Sequence, residues 1–255
     1  MAISPQVEAL CERAQLVAGL GDPQEGRFCV MSLVAYLASE PASDAPRSAS
    51  PVIRAFVIPV NDGMPCATRQ RLKPFVPRII GTRDGHDDTR ATLLCRAVTE
   101  ELLPQLARRR EATPSTARAR TLRQAWNRLF ESGSVRRLTR LVHQVEHGGQ
   151  GRPIVPLASA TGQLISLVAR NAAASDQAWY WNHAVGLLDR MCEAGAEARA
   201  SERREACLLR SFPGPRQPGG GAGSASAHPG DPCGAGEPAL AEAAAGSCSS
   251  GRVFI

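Results

Sequence analysis

The chain has 255 residues, 43% of them hydrophobic, with a formal net charge of +6 and a pI near 9.1, which is enough apolar content for a packed core. No apolar run approaches the ~20 residues a bilayer-spanning helix needs, and MAISPQVEALCERAQ lacks a cationic region followed by an apolar one, so a cytoplasmic protein is expected. Lys73 is the only lysine, and with abundant Ala, Gly and Pro this reads as GC-rich coding bias rather than selection for arginine chemistry, which favours the plain solvated-surface reading of the charge.

Ser4-Pro5 reads as an N-cap followed by proline at the first helical position, opening a helix expected to stop near Gly19 and Gly21. Val30, Leu33, Val34 and Leu37 fall at i, i+3, i+4 and i+7, the stripe of an amphipathic helix. Ser50-Pro51 repeats the cap-and-proline start. The following VIRAFVIPV suits a short helix or a strand, and the helix is preferred because no partner strand is evident. Pro74 and Pro77 divide 65–80 into short turns, with Gly81 as a C-cap. Asp87 or Asp88 can cap a helix whose core face is Ala91, Leu94, Cys95, Val98 and Leu102.

The polar stretch 108–120 contains Pro114 and marks an internal boundary. Beyond it, Leu122, Ala125, Trp126, Leu129 and Phe130 predict a helix closed by Ser132-Gly133. Val135, Leu138, Val142 and Val145 predict the next, ending at Gly148-Gly149. A helix near 163–171 and a last one capped by Ser175 follow, the latter carrying Trp181, Val185, Leu188 and Cys192. From about Phe212 onward the chain is Gly/Pro/Ser/Ala-rich, which predicts a disordered tail or an out-of-frame extension. The eight cysteines are scattered with no C-x-x-C pair, so they read as small buried hydrophobes. The expected fold is all-α, a bundle-like domain of about eight helices divisible into subdomains 1–110 and 115–200, then a disordered tail over 211–255.

Cys29, Met31, Val34-Ala35-Tyr36-Leu37, Glu40-Pro41, Ser43-Asp44, Ser50-Pro51-Val52-Ile53, Asn61-Asp62, Arg69-Gln70-Arg71-Leu72, Pro74 and Arg78 through Gly81-Thr82 form a dense pattern. It resembles the N-terminal signature of a family of uncharacterised proteins from GC-rich bacteria. Ala178-Trp179-Tyr180-Trp181-Asn182 and Leu187-Leu188-Asp189-Arg190 resemble that family's C-terminal end. The resemblance implies no particular activity or cofactor. The family pattern carries histidine where this chain has Ala45, and an aromatic or histidine at Ala42, so an acid–base role for that loop is not expected here.

Three groups of residues could carry chemistry. Glu40, Ser43, Asp44, Asn61, Asp62, Arg69, Arg71 and Arg78 lie at predicted turns and helix ends, where carboxylates facing arginines could hold a small polar ligand. A network of caps and ion pairs accounts for the same residue types. The stretch from Arg108 to Arg140 holds ten arginines against Glu111 and Glu131, and Arg118, Arg120, Arg123, Arg136 and Arg140 are its candidate nucleic-acid contacts. His143-Gln144-Val145-Glu146-His147 matches the H-x-x-E-H pattern, in which His143 and His147 would ligate a metal with Glu146 as base. Those histidines also continue a basic stripe from Arg136 and Arg140, and no third-ligand segment follows. The expected function is a non-catalytic binding or regulatory module engaging nucleic acid or a protein, without a cofactor. A metal-dependent hydrolase is the alternative.

Overall fold

The computed structural model describes residues 5–112 and 122–196, and the predicted tail lies outside them. Ten α-helices dominate these described residues: α1 (Pro5–Arg13), α2 (Val30–Leu37), α3 (Pro51–Gly63), α4 (Cys66–Arg69), α5 (Val76–Ile79), α6 (Asp87–Arg96), α7 (Leu103–Ala112), α8 (Leu122–His147), α9 (Ile154–Asn171) and α10 (Ala174–Glu193). The fold is therefore all-α in class, with one small departure. Three two-residue strands, β1 (Gln15–Leu16), β2 (Gly21–Asp22) and β3 (Arg27–Phe28), form a sheet of order β1-β3-β2. β1 pairs β3 in parallel and β2 pairs it antiparallel, with Leu16 and Gly21 both opposite Phe28. This sheet corrects the first helix prediction: α1 ends at Arg13, and Gly21 serves the sheet instead. A Cβ on Gly21 would stand 2.4 Å from the Arg27 carbonyl oxygen, so only glycine lets the strands meet there.

The proline-containing segment after Ser50 is a helix, as its cap signals indicate. Ser50 Oγ accepts from the N–H groups of Val52 (3.1 Å) and Ile53 (3.3 Å), and Pro51 takes the first position, where no N–H is needed. α3 continues through Pro59, whose missing N–H leaves the Ala55 carbonyl without its helical donor, and Ser166 Oγ of α9 ties the helix down there by donating to the Pro59 carbonyl at 2.7 Å. α3 packs most extensively on α9, the central helix. At their crossing, a Cβ on Gly162 would lie 2.4 Å from the Phe56 carbonyl oxygen, so the two backbones approach as closely as glycine allows. Val52, Ile53, Phe56, Val57 and Val60 of α3 join Leu157, Leu164, Ile165 and Val168 of α9 in one buried cluster, which also takes in Leu94, Val98, Leu138, Tyr180 and Leu188.

Several boundaries differ from those expected. α8 runs without a break through Ser132-Gly133, because burial of Leu138, Val142 and Val145 against the core outweighs glycine's cost of about 1 kcal/mol. α10 starts from Ala173, whose extended backbone (φ −62°, ψ 157°) makes it the cap; Ser175 sits inside the first turn. α6 follows His86 rather than an aspartate cap, with Asp87 and Asp88 inside its first turn, where the helix dipole favours them. Between α6 and α7 the chain forms a π-helical turn, Ala97–Leu102, just before Pro104, which has no N–H to donate. Cys11, Cys29, Cys95 and Cys192 are buried and Cys66 is exposed. Burial pushes the Cys95 thiol up to about 11 and Cys192 up to about 12, in keeping with their reading as small hydrophobes.

Candidate functional site

Ser50 and Thr82 enter a buried polar node with Asp84, Asp87 and Arg90. Ser50, having capped α3, donates its hydroxyl proton to Asp87 Oδ1, and its own N–H donates to Thr82 Oγ1 at 2.9 Å. Thr82 in turn donates to the Ile79 carbonyl. At the centre is Arg90, 0% exposed, whose guanidinium grips both oxygens of Asp84 at 2.7 and 2.8 Å and reaches Asp87 at 3.2 Å. Its other donors take the Thr82 carbonyl (2.9 Å), Met191 carbonyl (3.0 Å) and Ala194 carbonyl (2.9 Å), closing the C-terminal end of α10. Burial pulls the Arg90 pKa down from its usual value, and the hydrogen bond to Asp87 opposes that shift. Every donor faces inward, so this node fastens elements together and leaves nothing for a ligand.

The predicted polar cluster separates into two sets. Glu40 accepts from the backbone N–H groups of Arg47 and Ser48 and so ties down its loop; hydrogen bonding from Ser48 holds its carboxyl below the usual range. Arg69 is buried and donates to the Asn61 and Met64 carbonyls, both at 2.7 Å, capping the end of α3. Arg71 donates to Asn182 Oδ1 at 2.8 Å, and Arg78 pairs with Asp189 at 2.5 Å while lying over the Phe75 ring. These two contacts join the segment 71–78 to α10. Ser43 turns its Oγ back to accept the Ala45 N–H at 2.9 Å, and the other three residues, Asp44, Asn61 and Asp62, line one small cleft.

The arginine region behaves differently. Arg118 and Arg120 lie outside the described residues, and Arg123 stands on α8 with its side chain outside them. Arg136, Arg137 and Arg140 are exposed, and none of them has a carboxylate partner among the described residues. Elsewhere Arg27, Arg78, Arg90, Arg96, Arg109, Arg152 and Arg190 each meet an acidic side chain. His143 and His147 extend the exposed stripe to the end of α8, their rings stacked with centroids 4.5 Å apart. They border an open depression of about 520 Å³ with Gly148, Gly149, Gly151 and Arg152. For the metal alternative, His147 Nδ1 is turned back to the His143 carbonyl at 3.2 Å, and among the described residues no group of three His, Cys, Asp or Glu side chains could hold a metal ion.

One arrangement was invisible to sequence reasoning. The π turn presents Glu101 to Arg190 (2.8 Å) and to His183 Nδ1 (3.3 Å), while His183 stacks on Trp179 at 4.9 Å. Burial lowers the His183 pKa against the opposing pull of Glu101, and the hydrogen bond from Arg190 lowers that of Glu101. No residue pattern in the sequence announced it, because the three side chains come from segments about 80 residues apart.

Against known proteins, no family model, curated protein or solved structure matches the chain. Among the described residues no helix is long and apolar enough to cross a membrane.

Proposed function

We propose that the protein is a non-catalytic binding module that contacts nucleic acid through the exposed face of α8. The reading is carried by the clustering of Arg136, Arg137 and Arg140 within little more than one turn of α8, all exposed and without carboxylate partners among the described residues, next to the exposed His143 and His147. A row of unneutralised guanidinium groups replaces the counterions condensed on a phosphate backbone, and their release drives binding that is salt-sensitive and largely indifferent to sequence. His143 and His147 add hydrogen-bonding groups along the same face.

Fluorescence anisotropy of a labelled duplex, titrated at several KCl concentrations, tests the proposal. Wild-type affinity is expected to fall steeply with salt. The triple variant Arg136→Gln, Arg137→Gln, Arg140→Gln should reduce the slope of log K against log salt by about 2.7, at about 0.9 per phosphate contact. Affinity that ignores salt, or a variant that binds like wild type, would end the proposal.

A further inference from the structure

Arg136, Arg140, His143 and His147 recur at helical spacing, which keeps all four on one side of α8 as a single exposed stripe. The stripe ends in the two imidazole rings, stacked with centroids 4.5 Å apart and planes 23° from parallel. Both rings line the open depression of about 520 Å³ at the turn between α8 and α9. A Cβ on Gly149 or Gly151 would meet nothing within 4 Å, so the backbone of that turn borders free space. No acidic side chain among the described residues lines the depression. Its guanidinium, that of Arg152, is already met by Asp88 at 2.6 Å, while the Gln144 and Gln150 side chains are exposed. The arginine row therefore runs into a polar hollow flanked by planar rings.

We propose that the nucleic acid held on α8 is single-stranded, with an unpaired base entering this depression and stacking on the His143–His147 pair; the inference rests on the α8 reading above. Arginines alone take any phosphate chain. Aromatic rings at the end of the row add a contact that only an unpaired base can use, because a splayed base offers its flat face for stacking and its edge for hydrogen bonds. The Gln144 and Gln150 amides each carry a donor and an acceptor, which suits such an edge. The volume falls within the ~300–1,000 Å³ of small-ligand sites, room for a base with its sugar. A phosphate in the same place would call for a free guanidinium, and Arg152 is paired.

The test is fluorescence anisotropy of the full chain with three labelled ligands across several KCl concentrations. They are an oligothymidylate of about 12 nucleotides, an abasic strand with the same phosphates, and the duplex of the first with its complement. The base-bearing strand should bind about tenfold more tightly than the abasic one, and more tightly than the duplex. The ratio of the two strands cancels their shared phosphate contacts, so it reports the base alone. His147→Ala should bring that ratio close to one, and His147→Phe should keep it, since the ring carries the stack. A ratio near one in wild type, retained by His147→Ala or lost with His147→Phe, or a duplex that binds at least as tightly as the strand, would overturn the inference. Salt-sensitive duplex binding beside any of these results would leave the α8 reading standing, whereas affinities that ignore salt for all three ligands would overturn both.

Discussion

Arg69 and Arg90 are turned inward onto backbone carbonyls and, for Arg90, a buried carboxylate, whereas Arg136, Arg137 and Arg140 project from α8 with no carboxylate partner among the described residues. The same residue type therefore does opposite work in two regions. Around 40–90 it replaces the water that buried carbonyls and carboxylates have lost, so removing it strands their charges and dipoles. On α8 it remains hydrated, contributes little to folding and is available to a partner.

The sharpest way to break this contrast is Arg90→Ala. It strands Asp84, 7% exposed in the pair, and should cost about 3–5 kcal/mol by urea denaturation. A loss below about 1 kcal/mol would mean the node does not hold the fold. Ser50→Ala removes the cap of α3 together with a partner of Asp87 and should cost about 1–2 kcal/mol in the same measurement. Arg78→Ala breaks a pair whose side chains are 37% and 44% exposed, so a change of only about 0–1 kcal/mol is expected, and a larger one would place Arg78 with the buried set.

His183 supplies a pH dependence of known sign. Its folded pKa is depressed by burial, so below the unfolded value of about 6.5 the unfolded chain binds the extra proton. Its stabilising contribution is complete above that value and declines as the pH falls toward the folded pKa. Thermal unfolding should show Tm falling from pH 7 toward pH 5.5, and His183→Gln should flatten that decline; an unchanged profile would remove His183 as its source. The smallest stability effect belongs to the triple α8 variant, expected within about 0.5 kcal/mol of wild type. A larger loss would show that the α8 arginines support the fold as the inward ones do.

Much of the helical layout was legible locally. Ser50-Pro51 announces α3 because a hydroxyl cap and a proline without an N–H act within one turn, and Gly148 ends α8 where expected. The stripe Val30, Leu33, Val34 likewise predicts the buried side of α2. Ser132-Gly133 misled because a local breaker signal of about 1 kcal/mol yields to a long buried face. The strands at 15–28 carry no alternation, being two residues each, and arise only when β3 finds both neighbours. Of the polar residues singled out in the sequence, Asp44, Asn61 and Asp62 line one cleft, but the sequence could not separate them from Glu40, Arg69, Arg71 and Arg78, since residues that cap and residues that line a cleft are the same types.

Sequence alone thus determined the all-α class, the Ser50 cap of α3 and the basic stripe of α8, because each follows from groups within a few residues of one another. Tertiary structure alone decided which charges are spent. Arg90 reaches the Met191 carbonyl 101 positions away and Arg71 meets Asn182 at a separation of 111, pairings set by how helices pack rather than by any local pattern.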